Sequence, residues 1–226
     1  MRRVPVTIRA AGGLLAAILT TGASAESTGT ERYDADLASS RVTVEGTSTL
    51  HDWHVEGHHI GGSVIVQENE LAFLWVTSGP SPHTLAPTGH VEIPVTSLTS
   101  GKRGMDDTMY GALKTKRHST ITYYLESAQI TMRQPTQEKD AGGSLTLETT
   151  GVLMVAGVER RMDIPMHVRR LSENRLEISG DISLRMTEFG IDPPRAMLGT
   201  LRTGDTVHVY WTWVLVRDRI DQRDGR

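Results

Sequence analysis

Cysteine is absent from this chain of 226 residues, and phenylalanine occurs only at Phe73 and Phe189. The lack of cysteine excludes disulfides, thiol catalysis, cysteine-ligated zinc and lipidation of an N-terminal cysteine. We therefore expect the fold to be held together by core packing alone, without a lipid anchor to a membrane.

No apolar run near the N-terminus is long enough to span a membrane. The stretch 10–19 has about half of the ~20 apolar residues that a membrane-spanning helix requires. It follows a basic start with Arg2 and Arg3, and it precedes the small-residue pattern Ala23-Ser24-Ala25. This is the pattern of a secretory signal peptide. The sequence predicts a signal peptide at 1–25, a mature domain at 26–226 and a periplasmic or secreted location.

A surplus of positive charge is also lacking. The chain has 24 lysines and arginines against 27 acidic residues, and loss of the three arginines of the leader leaves 21 against 27, a formal charge of −6. Proteins that bind nucleic acid usually gather a basic surplus on one face. Nucleic acid is therefore excluded as the expected partner.

Alternation of apolar and polar residues dominates the sequence, with short turn clusters between the runs. It is clearest near the C-terminus, where Val207, Val209 and Trp211 alternate with His208 and Tyr210. Seven or more such runs predict an all-β protein whose strands each turn one face inward. Periodicity alone leaves a sandwich and a barrel open.

The segment 101–121 breaks this alternation. Its apolar residues Met105, Met109 and Leu113 are four positions apart, as on one stripe of a helix. Acidic residues open the segment, and basic residues are expected in its last turn, at Lys114, Lys116 and Arg117, which matches the helix dipole. We predict a short amphipathic helix at the mouth of a barrel.

Four of the nine histidines lie in the stretch GTSTLHDWHVEGHH, residues 46–59. A zinc site requires three or four ligands that converge at about 2 Å. Neighbours on an extended strand point to opposite sides, and the stretch contains no established ligand spacing. We therefore predict no specific metal site, while a histidine-based metal binder stays an alternative.

Catalytic groups are not arranged convincingly either. Ser48, His51 and Asp52 have the residue types of a triad, but neighbours on one strand diverge and no nucleophile elbow is present. Asp106 and Asp107 are better explained as residues that start the helix. We predict no catalytic residue and a protein that is not an enzyme.

Four blocks in a characteristic order are spread over most of the mature chain, from residue 40 to residue 211: SRVTVEGTSTLHDWHVEG, HVEIPVTSLTSGKRGMDDTMYGALKTKRHSTITYYL, GVLMVAGVERRMDIPM and ISLRMTEFGIDPPRAMLGTLRTGDTVHVYW. In these blocks the chain resembles the YceI-like family of exported, lipocalin-like barrels associated with polyisoprenoid and long-chain lipid binding. The resemblance implies an antiparallel lipocalin-like β-barrel of about eight strands. It also implies that residues 49–53 belong to a strand near one end of the barrel.

The resemblance further implies a cavity for an apolar lipid, such as a polyisoprenoid, a quinone or a fatty-acid derivative, and no other cofactor. The apolar rows and the helix supply the candidate ligand-binding residues Trp53, Phe73, Trp75, Met105, Met109, Leu113, Tyr123, Met186, Phe189, Trp211 and Trp213. An envelope stress or interaction protein with a packed core remains an alternative. The sequence leaves the oligomeric state open, with a homodimer as one alternative.

Overall fold

Antiparallel strands make up most of the chain in this computed structural model, which describes residues 29–68, 70, 84–134, 143–196 and 201–218. A helix, α1, spans Arg103–Ala112, and short 3-10 turns span Val95–Ser97 and Met186–Phe189. The strands are β1 (Thr30–Ala35), β2 (Arg41–Ser48), β3 (Trp53–Gly57), β4 (Gly61–Gln67), β5 (Thr84–Leu85), β6 (Thr88–Pro94), β7 (Leu98–Thr99), β8 (Thr120–Gln134), β9 (Ser144–Val155), β10 (Val158–Ser172), β11 (Arg175–Arg185), β12 (Arg195–Ala196) and β13 (Leu201–Arg217).

Six of these strands form three pairs, and the two members of each pair act as halves of one longer strand. Both β1 and β2 pair antiparallel with β13, Tyr33 opposite Arg217 and Val42 opposite Trp211, so they follow one another along the same neighbour. In the same way β4 pairs with β1 while β3 pairs with β2. Likewise β6 pairs with β4 and β7 with β3. The wall therefore consists of eight long strands.

These eight strands close on themselves. Their order is β1/β2, β3/β4, β6/β7, β8, β9, β10, β11 and β13, and β13 returns to β1 and β2. Each strand lies beside the next one in the chain, which is the topology of an up-and-down barrel. The predicted antiparallel barrel of about eight strands is confirmed. Within the described residues, no helix is long and apolar enough to cross a membrane.

The two halves of the barrel differ in how well they are filled. In the half far from α1, the inward side chains are almost inaccessible: Leu215 is 0% exposed, Tyr33 2% and Ile130 4%. In the half that contains α1, which we call the helix end, the inward Val209 and Trp211 are only half-buried. The alternation of β13 predicted from the sequence is confirmed, and the partial exposure of its inward residues points to a hollow interior.

Helix α1 is tied to the wall by side-chain hydrogen bonds. Asp106 accepts from the backbone N–H of Ser100 at 2.7 Å and from its hydroxyl at 2.6 Å. On the other side, the hydroxyl of Tyr110 donates to the carbonyl of Leu98 at 2.7 Å. The predicted helix is confirmed, but it ends at Ala112.

Two local predictions about this end of the barrel were wrong. Lys114, Lys116 and Arg117 lie beyond the helix rather than in its last turn, because Lys114 adopts a positive φ of 55°. Residues 49–52 form a hairpin loop between β2 and β3 rather than part of a strand, and the side chain of Ser48 accepts the N–H of His51 inside that loop. The proposed signal peptide at 1–25 lies outside the described residues.

Candidate functional site

A cavity of about 560 Å³ occupies the helix end of the barrel. Its volume falls within the range of about 300–1,000 Å³ that is typical of small-molecule sites. Branched aliphatic and methionine side chains from the strands and from α1 form most of the wall, among them Val44, Val91, Ile93, Met105, Met109, Ile121, Val155, Ile164, Met166, Ile178, Ile182, Leu184, Val207 and Val209. Such a wall suits a flexible apolar tail.

A second, smaller cavity of about 80 Å³ lies in the far half of the barrel. The residues that line both cavities form a layer between them, which we call the waist: Val91, Tyr123, Met166, Ile178 and Trp213. The waist therefore separates the large cavity from the small one.

Aromatic rings of the large cavity lie flat against its wall because glycines face them. A Cβ atom on Gly46 would lie 2.2 Å from the ring of Trp53, and one on Gly180 would lie 2.5 Å from the ring of Trp211. These glycines sit directly opposite the two tryptophans on the paired strand. With the rings laid over glycine, the space in the middle of the barrel stays open.

The cover of the cavity has two parts, α1 and the segment Met186–Ile191. Phe189 and Ile191 are buried at 2% and 5% exposure, whereas none of the α1 residues is fully buried, although the helix stripe lines the cavity. Just after α1, the ammonium of Lys114 donates to the carbonyl of Gly190 at 3.0 Å, which links the end of the helix to the second part. The apolar face of α1 thus borders the open cavity, an arrangement suited to an apolar ligand.

The wall is not paired throughout. β10 and β11 are hydrogen-bonded from Ser172 to His167, which lies opposite Ser179, and pairing between these two fully described strands stops there. Pro165, which has no N–H, lies just past this point. Towards the helix end the two strands keep only their outer neighbours, β9 and β13. This gap, between 158–166 of β10 and 180–185 of β11, is called the slit below.

One polar group projects into the waist. Tyr123 is buried, and its hydroxyl lies 3.1 Å from the hydroxyl of Thr149. Burial raises the pKa of Tyr123, and the hydrogen bond with Thr149 opposes that shift in part. The phenol is therefore neutral at physiological pH and acts as a hydrogen-bonding group rather than as a base.

Charged residues appear only at the rim of the large cavity. The described lining residues include Lys102, Arg185 and Arg195, with His51 beside them, and no aspartate or glutamate. The carboxylate of Asp205 lies nearby but accepts both the N–H and the hydroxyl of Thr187, and these hydrogen bonds lower its pKa. The ionic side chains of the described lining are thus all basic, whereas Asp205 and Glu188 lie outside it.

The histidine-rich stretch does not gather into one site. All four histidines are exposed, and of these only His51 lies at the cavity rim. Across the described parts of the chain, no group of three or more His, Cys, Asp or Glu residues is placed to hold a metal ion. The Ser48 hydroxyl hydrogen-bonds to the backbone of His51 instead of to its ring, so these residues do not form a nucleophile–base pair.

Nine of the eleven candidate residues line the large cavity: Trp53, Met105, Met109, Leu113, Tyr123, Met186, Phe189, Trp211 and Trp213. Phe73 and Trp75 lie outside the described residues. That the nine bind a ligand stays a prediction. Sequence reasoning omitted the aliphatic lining of β6, β10 and β11, although the same alternation marks it, and it missed the basic rim, because no local signal joins Lys102 to Arg195.

Comparison with known proteins supports the fold. No curated protein matches the chain. Among solved structures, a polyisoprenoid binding domain from Saccharophagus degradans is 15% identical, with a TM-score of 0.58 over 82% of this chain and 98% of that one. BcnA from Burkholderia cenocepacia is also 15% identical, with a TM-score of 0.55 over 80% of this chain and 99% of that one. At this identity the likeness concerns the fold alone.

The sequence itself carries the assignment to a family. The model of the YceI-like domain matches residues 33–215. The match runs from the middle of β1 into the last third of β13, and so takes in every wall strand of the barrel. The chain therefore belongs to the YceI-like family.

Proposed function

We propose that this protein binds a long-chain apolar molecule in the helix-end cavity and sequesters or carries it without transforming it. The observation that carries the proposal is the cavity of about 560 Å³, whose wall is apolar apart from its rim and whose cover is an amphipathic helix. The solved relative from Saccharophagus degradans is described as a polyisoprenoid binding domain, which supports a polyisoprenoid or a similar chain as the ligand class.

The same proposal includes export. The basic start, the short apolar run and the small residues at Ala23 and Ala25 are typical of a cleaved leader. The protein would then meet its ligand in the periplasm or outside the cell, where a free lipid needs a carrier to cross water. N-terminal sequencing of envelope material is expected to begin at Glu26, and an intact Met1 would contradict this part.

Native mass spectrometry of protein purified from its own envelope tests the binding function. We expect a mass increment of one long-chain lipid, which organic extraction removes. A protein that is free of lipid after mild purification, and that takes up neither geranylgeraniol nor oleyl alcohol when these are added, would contradict the proposal and favour an interaction protein.

A further inference from the structure

The rim of the cavity has a charge that the chain as a whole does not have. Acidic residues outnumber lysine and arginine in the sequence, 27 to 24, yet all three ionic side chains of the described lining are Lys102, Arg185 and Arg195. The positive rim is therefore a local feature, placed where the apolar interior meets water.

Two of these cations are available to a ligand. Arg185 already forms an ion pair with Glu188, in which two guanidinium nitrogens donate to the same carboxylate oxygen. Lys102 directly precedes α1 and Arg195 begins β12, and both side chains are exposed. Within the described residues, neither the Lys102 ammonium nor the Arg195 guanidinium has an ion pair or a side-chain hydrogen bond. They approach the mouth from two segments that are far apart in the chain.

Two carboxylates in neighbouring segments, those of Asp106 and Asp205, are hydrogen-bonded elsewhere. Asp106 is occupied by Ser100 and by the hydroxyl of Thr99 at 2.9 Å. Asp205 is held by Thr187 at 2.7 Å. Both carboxylates thus accept hydrogen bonds from other donors, and neither forms an ion pair with Lys102 or Arg195.

We infer that the ligand carries an anionic oxygen headgroup, a phosphate or a carboxylate, which Lys102 and Arg195 hold at the rim while the tail occupies the cavity. The inference rests on the proposed function, because it requires a tail in the cavity. An ammonium supplies a compact charge and a guanidinium supplies a two-donor fork, a combination suited to such oxygens. A hydrocarbon or a neutral quinone would leave both cations without a partner.

The test compares ligands that differ only in the headgroup. Displacement of a neutral naphthylamine dye from the whole mature protein gives affinities for geranylgeranyl monophosphate against geranylgeraniol, and for oleate against oleyl alcohol. We expect at least one anionic member to bind about tenfold more tightly than its alcohol, with a preference that weakens as salt rises. Inorganic phosphate alone should displace no dye, because it has no tail.

Paired variants locate the effect. Lys102→Gln with Arg195→Gln should abolish the preference for the anion. Lys116→Gln with Arg117→Gln removes the same charge from the segment after α1, outside the cavity lining, and should keep the preference. Equal affinities for anion and alcohol in the unmodified protein would overturn the inference while lipid binding stands. So would a preference for the anion that persists in Lys102→Gln/Arg195→Gln or that is lost in Lys116→Gln/Arg117→Gln. If no long-chain probe displaces the dye, the proposed function fails as well.

Discussion

The hydroxyl oxygens of Tyr123 and Thr149 lie 3.1 Å apart inside the barrel, and the Thr149 hydroxyl also donates to the carbonyl of Ile164 at 2.8 Å. Because the proton of Thr149 is used in that second bond, Tyr123 is the donor in the first. A short chain of hydrogen bonds thus crosses from β8 through β9 to β10 at the waist, where the open cavity gives way to the filled half.

This chain predicts unequal costs for two substitutions. Tyr123→Phe removes only the terminal donor and should lower the free energy of unfolding by about 0.5–1.5 kcal/mol. Thr149→Val leaves the buried Tyr123 hydroxyl without this partner and also removes the hydrogen bond to the Ile164 carbonyl, so it should cost more, about 1–3 kcal/mol. Urea unfolding measures both values, and a larger loss for Tyr123→Phe would contradict the direction of the chain.

We expect replacement of Gly180 to destabilise the protein, because the ring of Trp211 lies over this glycine. A Cβ atom there would also lie 2.9 Å from the carbonyl of Pro165, so Gly180→Ala must push the indole into the cavity or part the strands. We expect a loss of about 1–3 kcal/mol in the free energy of unfolding and less bound lipid.

Gly111→Ala is the matched control. Nothing lies within 4 Å of the Cβ position on Gly111, which is exposed on α1. Alanine favours a helix by about 1 kcal/mol over glycine, so this variant should be more stable than the unmodified protein. If both alanine variants behave alike in thermal unfolding, the packing argument for Gly180 is wrong.

The hydrogen bonds of Asp106 at the start of α1 predict that the stability of the protein depends on pH. Hydrogen bonds from the Ser100 side chain and backbone lower the pKa of Asp106 below its ordinary value of 3.8. A carboxylate whose pKa is depressed in the folded state stabilises the protein above the unfolded pKa, and this stability is lost as pH falls through the lower, folded pKa. The difference in free energy of unfolding between the unmodified protein and Asp106→Asn should have its full value at about pH 7. It should shrink to zero in acid, as the pH falls below the ordinary carboxyl range.

Asp107→Asn serves as the control for this pH series. Asp107 lies one residue further along α1, is exposed, and its carboxylate is 3.9 Å from the Arg103 guanidinium. Ion pairs of this exposed kind contribute little. Urea unfolding of both variants across the pH range should therefore show a pH-dependent gap for Asp106 only. If the difference in free energy of unfolding for Asp106→Asn did not change with pH, the charge of Asp106 would not be what stabilises the start of α1.

The slit between β10 and β11 predicts a local difference in hydrogen exchange. Alternate amides of 158–164 and 181–185 face the slit without a strand partner, whereas β9 is paired on both sides over the same height. Unpaired amides exchange faster than those in a ladder. NMR-detected exchange should therefore show alternating fast and slow amides at the slit and uniformly slow ones in residues 149–154 of β9. Uniform protection of 158–164 would contradict an open slit.

The helix stripe predicts a loss of ligand without a loss of fold. Met109 and Leu113 line the cavity and are half-buried. Burial of each is worth roughly 1.5–3 kcal/mol, and an uncompensated polar group costs a similar amount. Met109→Asn with Leu113→Asn should lower lipid affinity about tenfold or more while the strand signal in circular dichroism persists. Leu50→Asn, at a site 71% exposed in the hairpin loop, is the control and should keep its lipid.

Local periodicity was enough to predict much of this protein. The inward face of β13 and the apolar stripe of α1 follow from side-chain directions that each element imposes on its own sequence. The family resemblance added the closed barrel, which periodicity could not separate from a sandwich. It did not help at 49–52, where a strand was expected and a hairpin loop is found.

Other features depend on contacts between distant segments and were decided only by the tertiary structure. Whether the barrel is hollow depends on rings that lie over Gly46 and Gly180, which are brought to them by pairing across strands. The slit depends on where the pairing of β10 and β11 ends, and the basic rim depends on side chains from distant segments, such as Lys102 and Arg195, which are 93 positions apart. The sequence determined which face of each strand turns inward. The closure of the barrel sets the distances between those faces. Only this closure decided that the inward side chains fill the half far from α1 and leave a cavity at the helix end.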